Sequence, residues 1–152
     1  MSDPIQFTST TPRLGMPLLF VGQTQKEFYV NEAHALIDGL MHCAIEGMLQ
    51  SPPADPLNGQ AWLVDAGSIG GWMGHDGDLA FYQGGNWIFV TPSEGMTIYD
   101  KAASQFARFS GHWRKGLSVS LPQGGTVADS EARAAIGELV AALIEAGILP
   151  DN

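Results

Sequence analysis

The sequence contains little charge, and positive charge is the scarcer kind. Charged residues make up 15% of its 152 residues, whereas about 25% is typical of globular proteins. Seven lysines and arginines stand against sixteen aspartates and glutamates, so the net charge is −9. The largest basic cluster is the pair Arg114-Lys115. Because phosphate backbones and anionic lipid surfaces attract dense clusters of cations, we expect neither nucleic acid nor a membrane as a partner.

Cysteine and long apolar stretches are also scarce. Cys43 is the single cysteine, so no disulfide can form within the chain, and its apolar surroundings favour a buried structural residue over a reactive thiol. The apolar runs are shorter than the roughly 18 residues that a membrane-spanning helix needs. The first residues, MSDPIQ, lack the basic and apolar regions of a secretory signal. We therefore expect synthesis in the cytoplasm without a signal peptide.

The common catalytic and cofactor motifs do not stand out in the sequence. The segment GSIGG at 67–71 has neither the spacing of a dinucleotide fingerprint nor the lysine of a phosphate-binding loop. No GxSxG motif is present, and no Cys–His pair stands out as catalytic. The pair Asp76 and Asp78 supports one minor hypothesis, a hydrolase that acts on cell-wall sugars. We expect no enzyme activity and no cofactor.

Two groups of residues contain potential metal ligands. Four of them recur at every fourth position of a predicted helix: His34, Asp38, His42 and Glu46. That spacing places them on one stripe, as zinc ligands can lie, but a solvated face or a subunit contact is favoured because it needs no further ligand. The segment HDGD at 75–78 resembles half of a calcium loop, lacks the later ligands, and is explained by a tight turn. We expect no bound metal.

Residues 1–23 are predicted to form an extended arm. Pro4, Pro12 and Pro17 fix the backbone and remove hydrogen-bond donors, which excludes a regular helix. The arm is nevertheless apolar, so it must lie against something, and its own domain and a neighbouring subunit are equally good candidates. Its candidate anchor residues are Leu14, Met16, Leu18 and Phe20.

A long helix is predicted from residue 24 to residue 51. The segment TQKE at 24–27 is typical of a capping box, in which the Thr24 hydroxyl and the Glu27 carboxylate satisfy each other's backbone amides. Spacings of three and four produce a continuous apolar stripe, formed by Val30, Ala33, Ile37, Leu40, Met41, Ala44, Ile45 and Met48. Two prolines at 52–53 end the helix. Such a rod would be roughly 39 Å long, which favours the packing of other elements or other chains around it.

From residue 54 to residue 116 the pattern changes to short β-prone segments separated by Gly, Asp and Asn. Spacings near ten residues with tight turns predict an antiparallel meander. The seven predicted strands are 61–64, 71–74, 79–83, 86–90, 96–100, 105–110 and 112–115. Together with the helices, this meander places the chain in the α+β class.

A final helix is predicted within residues 126–149. Thr126 or Asp129 would cap its start, and Gly147 suits the left-handed position after its end, with Ile148 folding back. Its apolar face consists of Ala132, Ala135, Ile136, Leu139, Val140, Leu143 and Ile144. Because the helix has its own capping residues and follows a linker, we interpret it as an oligomerisation element.

Aromatic residues are concentrated in the predicted meander. Bulky rings commonly form the core of a small, thin sheet, so a core role is favoured over a subunit contact and over a platform on which sugars stack. Because alternate residues of a strand point to opposite faces, some rings must leave the core. The candidates for glycan binding are Trp72, Tyr82, Trp87 and Trp113.

Three segments carry a family likeness: GQxQKExxxNEA from Gly22, PPxxPxxGxxWLV from Pro52, and GxWxFVxPxxG from Gly85. With their flanking residues they span 11–113. Together they resemble a domain family of undefined biochemistry that occurs in virion proteins of tailed phages and of phage-like gene transfer agents. The resemblance implies a structural component of a spike, fibre or decoration, with a contact to host-surface glycans as a further task. It supplies no catalytic residue.

We therefore expect a non-enzymatic virion protein that is made in the host cytoplasm and anchored to capsid or tail proteins. It should be a homo-oligomer with closed symmetry, in which three copies are favoured and five are the alternative. The alternative function is a receptor-binding module for host-surface polysaccharide. The residues expected at subunit or anchor interfaces are Leu14, Met16, Leu18, Phe20, Gln23, Gln25, Ile37, Leu40, Ile136, Leu139 and Leu143.

Overall fold

The structure is a computed structural model that describes residues 9–22, 26–125 and 129–150. Within these ranges it contains two α-helices, eight β-strands and a short 3₁₀ turn, which confirms the α+β class. The helices are α1 (Lys26–Leu40) and α2 (Ser130–Glu145). The strands are β1 (Ala44–Ile45), β2 (Met48–Leu49), β3 (Ala61–Val64), β4 (Leu79–Gln83), β5 (Asn86–Val90), β6 (Thr97–Asp100), β7 (Gln105–Phe109) and β8 (Trp113–Lys115).

The chain divides into two compact units, each built on one four-stranded sheet. The first unit comprises Met1–Cys43 and Met48–Thr91, and its strand order is β2-β3-β4-β5. The second comprises Ala44–Gly47 and Pro92–Asn152, and its strand order is β1-β6-β7-β8. In each sheet one short strand, β2 or β1, pairs in parallel, and the remaining pairs are antiparallel. The predicted single antiparallel meander is therefore two mixed sheets.

The predicted helix from 24 to 51 is much shorter in the structure. It ends at Leu40, the chain turns through His42 at a φ of 50°, and the last residues of the predicted rod become β1 and β2. Ala44 pairs with Tyr99, and Met48 pairs with Leu63. These residues have helical spacing, but sheet partners distant in sequence satisfy their backbone groups instead.

Six of the seven predicted strands are observed near their expected bounds. The seventh, expected at 71–74, is a 3₁₀ turn over Gly70–Trp72. Backbone bonds of the i to i+3 type tighten it, from the amide of Trp72 to the carbonyl of Ile69 and from the amide of Met73 to that of Gly70, both at 3.3 Å. Gly70 has a φ of 63°, which a residue with a side chain rarely adopts, so the backbone cannot continue as a strand.

The core of the first unit combines a fully buried strand with an aromatic cluster. All four residues of β3 are buried, and Trp62 and Val64 pack with Trp72 and Ala80. The helix α1 lies close to β4, because a β-carbon at Gly39 would be 2.7 Å from a ring carbon of Phe81. This approach requires glycine at that position of the helix.

The helix α2 begins and ends as the sequence predicts. The Asp129 carboxylate accepts a hydrogen bond from the amide of Ala132 at 2.9 Å, and the other candidate cap, Thr126, lies outside the described residues. At the end, Gly147 has a φ of 69° and donates to Ile144, while the amide of Ile148 donates to Leu143. This pair of bonds is the Schellman motif, which confirms the predicted stop.

The segment that follows α2 docks beside β7 in the second unit. The strand β8 ends at Lys115, which pairs with Ala107. Beyond that point the amide of Phe106 donates to the carbonyl of Gly147 at 2.6 Å, and Leu149 is buried. The C-terminal segment therefore continues the line of hydrogen-bond partners along β7 where β8 stops.

We predict that Gly116→Ala releases this C-terminal segment. A β-carbon at Gly116 would lie 2.0 Å from the carbonyl oxygen of Ile148, so one of the two backbones must move. Loss of the bond between Phe106 and Gly147 should speed exchange of the Phe106 amide hydrogen by roughly fivefold, because one net hydrogen bond contributes about 1 kcal/mol. Hydrogen exchange followed by NMR measures this change. The exposed control Ser118→Ala should have no effect, and an unchanged rate in Gly116→Ala would contradict the docking.

Candidate interaction surfaces

The described part of the arm is folded on itself rather than extended. Thr10 and Pro17 form an antiparallel bridge, and the amide of Thr11 donates to the carbonyl of Met16 at 2.9 Å. A second bond joins the amide of Leu18 to the carbonyl of Ser9 at 3.0 Å. The prediction of an extended arm is therefore wrong for residues 9–22, because the turn lets the arm satisfy its own backbone groups.

A single buried carboxylate holds this turn against α1. The side chain of Asp38, 1% exposed, accepts a hydrogen bond from the Thr11 hydroxyl at 2.8 Å. It also accepts from the amide of Arg13 at 3.0 Å and from the amide of Leu14 at 2.6 Å. A carboxylate is a strong acceptor for several amides at once. Asp38 is therefore the residue that positions the arm, not part of a solvated stripe or a metal site.

Further polar side chains on the same face of α1 also form hydrogen bonds with the arm. The Asn31 side chain accepts from the amide of Leu19 at 2.8 Å and donates to its carbonyl at 3.1 Å, as a neighbouring strand would. The His34 ring lies 3.0 Å from the carbonyl oxygen of Pro17, and Glu27 accepts from the amide of Gly22 at 3.2 Å. The row is Glu27, Asn31, His34 and Asp38, with spacings of four, three and four. One face of a helix has this spacing, so the arm is seated along one side of α1.

Arg13 provides the end of the helix with hydrogen-bond donors. Its guanidinium donates to the carbonyls of Asp38, Gly39, Met41 and His42, the second at 2.8 Å and the last at 3.0 Å. The last carbonyls of a helix have no partner within it, and a cation there also interacts favourably with the helix dipole. This explains why α1 stops at Leu40 although its apolar spacing continues.

The predicted anchor residues of the arm divide into two groups. Leu14 is 45% exposed and Phe20 is 53% exposed, while Met16 and Leu18 are half-buried. The backbone of the described arm is hydrogen-bonded to its own helix. These side chains therefore form part of a fixed surface, and the arm is not a flexible tether. The predicted interface residues Gln23 and Gln25, together with Thr24 of the predicted capping box, lie outside the described residues.

The opposite side of α1 exposes a row of apolar side chains. Tyr29 is 78% exposed, Ile37 is 44% exposed and Met41, just after the helix, is 48% exposed. With Ala33 they are spaced by four residues, which places them on one side of the helix. The predicted interface residue Leu40 is half-buried. The predicted stripe that continues to Met48 does not exist, because the helix has ended.

The helix α2 leaves apolar side chains exposed. It has no buried residue, and Leu139 and Ile136, at 61% and 41%, are exposed. Leu143, the third predicted interface residue of this helix, is half-buried. The half-buried positions Arg133, Val140 and Ile144 lie on the side facing away from Leu139. The helix therefore rests on one side and leaves an apolar row uncovered on the other.

Of the aromatic residues proposed for glycan binding, one is a core residue and three are half-buried. Trp72 is 0% exposed, and its ring meets those of Trp62 and Trp87 at centroid distances of 6.5 and 5.0 Å. Tyr82 and Trp87 are half-buried neighbours at 4.9 Å, and Trp113, also half-buried, packs on Phe109. Sugar stacking needs an exposed ring face, so Trp72 cannot form such a platform in this structure.

The segment HDGD forms a turn with internal contacts. Asp76 accepts hydrogen bonds from the amides of Gly67 and Ser68 at 3.0 and 2.9 Å. The His75 ring stacks on Phe89 with centroids 3.6 Å apart, and its Nδ1 lies 3.0 Å from the carboxylate of Asp78. Each carboxylate therefore has a structural task in joining this turn to its neighbours.

Within residues 9–22, 26–125 and 129–150, no group of three or more His, Cys, Asp or Glu side chains is arranged to hold a metal ion. In the same ranges no helix has the length and apolar character needed to cross a bilayer.

Cys43 is a buried thiol, as predicted, and we expect it to be unreactive. Burial raises the pKa of this thiol to about 11, and the positive charge of Arg13 opposes the shift. Because the thiolate is the reacting form, only about one molecule in a thousand would carry it at a pH near 8. Ellman's reagent at that pH should therefore react only after denaturant is added. Rapid reaction of the folded protein would contradict this prediction.

These observations define a small α+β protein with two mixed sheets, an arm seated on its first helix, and an apolar row exposed on each helix. The chain belongs to the family described as protein of unknown function (DUF2793), whose model matches residues 30–114. The match includes most of α1 and the strands of both sheets, whereas the arm and α2 lie outside it. A comparison with curated proteins finds no match.

Proposed function

We propose that the protein is a non-enzymatic structural component of a virion, from a tailed phage or a gene transfer agent. In this role it forms a homo-oligomeric spike, fibre or decoration that is anchored to capsid or tail proteins. The likeness of its segments to those of virion proteins supports the setting. The observation that carries the proposal is that both helices expose a row of apolar side chains.

The amount of exposed apolar surface favours self-association. Apolar rows bordered by polar residues are typical of protein interfaces. Burying a leucine or isoleucine side chain fully stabilises by about 1.5–3 kcal/mol, so a trimer that buries Ile136 and Leu139 of each copy gains on the order of 10 kcal/mol. Association itself costs about 4–15 kcal/mol. The helix α2 alone would therefore hold a weak oligomer, and a tight one needs a second surface.

A separate apolar surface, formed by the arm and the start of α1, is available for the anchor. Phe20 and Val21 of the arm are 53% and 95% exposed, and Phe28 and Tyr29 of α1 are 70% and 78% exposed. We assign the contact with a capsid or tail protein to this apolar surface. The described arm cannot act as a flexible tether in this role, because its backbone is bound to α1.

The light-scattering mass of the purified protein tests the oligomer. We expect a trimer, or a pentamer, which becomes a monomer when Leu139→Glu places a charge in the apolar row. The matched control is Ala141→Glu, which adds the same charge on another side of α2 and should leave the mass unchanged. A wild-type monomer at micromolar concentration would overturn the homo-oligomer, and an unchanged mass in Leu139→Glu would remove α2 from the interface.

Incorporation into particles tests the anchor. The double variant Phe20→Ser, Val21→Ser removes apolar surface without touching the seat of the arm, so it should fold normally and be lost from purified particles. The exposed control Glu32→Ala should be incorporated like the wild type. Normal incorporation of the double variant would show that another surface makes the contact.

Glycan binding is the second candidate function, and the exposed parts of Tyr82 and Trp87 are what favour it. These two half-buried rings lie 4.9 Å apart and inclined by 54°, so together they offer one aromatic edge to a sugar. A glycan array should then detect binding that is lost in Trp87→Ala and retained in Trp113→Ala. Absence of binding by the wild type would remove this candidate.

A further inference from the structure

Two arginines lie side by side on the second unit's sheet. Arg108 of β7 is paired directly with Arg114 of β8, and both side chains are exposed. Directly opposed residues of an antiparallel pair have β-carbons about 5 Å apart. Like charges in that arrangement repel each other, so the pair forms a local positive site that an anion would stabilise.

The other cations of this unit are already engaged. Lys101 pairs with Glu46 at 2.7 Å, and Lys115 pairs with the buried carboxylate of Asp100. Arg133 of α2 donates to backbone carbonyls. Across the described part of the chain, neither Arg108 nor Arg114 forms an ion pair. These two guanidinium groups are therefore free to bind a carboxylate in an otherwise acidic protein.

The same face of the sheet also has an apolar part. Phe106 is two residues before Arg108 on β7, so both side chains point to one face, and Phe106 is 47% exposed. Its ring contributes to a shallow cavity of about 250 Å³ between the sheet and the end of α2. The face thus presents an aromatic ring next to two positive charges, which suits a partner that is both apolar and acidic.

The helix α2 presents that combination on its exposed side. Glu131, Glu138 and Glu145 are all exposed and are seven residues apart, which places them in a row along the helix. Leu139, which is 61% exposed, lies about 100° around the helix from Glu138, whereas Ile136 lies on the far side from this acidic row. The helix therefore has an exposed leucine beside its acidic row, as the sheet has an aromatic ring beside its positive charges.

The helix of the same copy does not make this contact. Its end is tied beside β7 by the bond between Phe106 and Gly147, where Glu145 lines the shallow cavity. Within the described residues, none of the glutamates of α2 forms an ion pair with Arg108 or Arg114. The acidic side of α2 and the basic face of the sheet are complementary but do not meet within one chain. This arrangement favours association with a second copy.

We propose that α2 of a second copy docks on this sheet face, with its acidic row on Arg108 and Arg114 and its Leu139 beside Phe106 and the first α2. This inference rests on the proposed function and names the partner surface. The contact joins two different surfaces. Each copy therefore inserts its α2 into one neighbour and accepts the α2 of another neighbour on its own sheet face. Such head-to-tail contacts form a ring when the rotation between copies closes on itself, which is how three or five copies would assemble.

Charge reversal with complementation tests the contact. The variants Arg108→Glu, Arg114→Glu and Glu131→Arg, Glu138→Arg should each reduce the light-scattering mass to that of a monomer, because like charges then meet. The four substitutions combined in one chain should restore the oligomer. The control Lys26→Glu changes charge in the first unit and should leave the mass unchanged, and circular dichroism of every variant checks that it is folded.

The outcomes separate this inference from the proposed function. A wild-type monomer contradicts the homo-oligomer itself. A wild-type oligomer whose mass is unchanged in Arg108→Glu, Arg114→Glu overturns only the docking surface, as does a combined variant that stays monomeric while folded. Polygalacturonate serves as an external acidic probe. If the oligomer binds it through the two arginines without losing mass, the pair belongs to an external ligand and the proposal is wrong.

Discussion

Replacing Asp38 with alanine should lower the free energy of unfolding by about 3 kcal/mol. The carboxylate is buried and accepts hydrogen bonds from the Thr11 hydroxyl and from the amides of Arg13 and Leu14. Its removal leaves three donors in a partly buried site without their acceptor, and loss of one partner from a buried charged network typically costs this amount. Urea unfolding followed by tryptophan fluorescence measures the change, because Trp62 and Trp72 lie in the same unit.

The matched control for this prediction is Glu32→Ala on the same helix. Glu32 is exposed, so its replacement should change stability by less than about 0.5 kcal/mol. The Asp38 variant should in addition become sensitive to proteolysis between residues 9 and 22, because the arm loses its seat. Equal stabilities of the two variants would mean that the arm contributes nothing to the fold.

Replacing Gly39 with alanine should destabilise the protein by about 1 kcal/mol net, although alanine is the better helix former. The added β-carbon would lie 2.7 Å from Phe81, whose ring is buried and has little room to move. Overpacking of this kind costs about 1–3 kcal/mol, which exceeds the gain in helix propensity of about 1 kcal/mol. Chemical unfolding of both proteins under the same conditions gives the difference.

Gly137 of α2 is the matched control, since it is also a helical glycine. A β-carbon there meets nothing within 4 Å, so Gly137→Ala should retain the gain in propensity and stabilise α2 by up to about 1 kcal/mol. The two substitutions should therefore change the free energy of unfolding in opposite directions. If Gly39→Ala also stabilised the protein, the close packing of α1 on β4 would be contradicted.

The exposed apolar rows link these stability effects to the proposed assembly. Asp38 and Gly39 act on one side of α1, where the arm and β4 pack, and leave the row of Tyr29 and Ile37 on another side untouched. Variants at these two positions are thus expected to change stability without changing the preferred number of copies. Leu139→Glu is expected to change the number of copies without changing the stability of the fold.

Local signals in the sequence were sufficient for much of the fold. Asp129 and Gly147 bracket α2 because a side-chain cap and a left-handed glycine act within four residues of the helix end. Six strands were predicted for a similar reason, since alternation and turn residues such as Gly84 and Gly85 lie next to the strands that they limit. The low charge and the apolar spacing of α2 also indicated an uncovered apolar surface.

Polar residues of α1 were harder to interpret from the sequence. The stripe that the spacing suggested was His34, Asp38, His42 and Glu46, whereas the row that seats the arm is Glu27, Asn31, His34 and Asp38. Both sets have helical spacing. The proximity of Thr11 and Arg13 decides between them, and no pattern within α1 contains that information. The polar start of α1 and the turn residues of the arm were the available signals.

The sequence by itself determined six of the strands, where α2 starts and stops, and that apolar surface exceeds what the helices hide. Only the tertiary structure decided that α1 ends at Leu40, that Trp72 is core, and that Asp38 holds the arm. The reason is the range of the interactions. Caps and turns act between neighbours, whereas the residues after Leu40 are held by Arg13, Leu63 and Tyr99, which lie about 15 to 55 positions away along the chain.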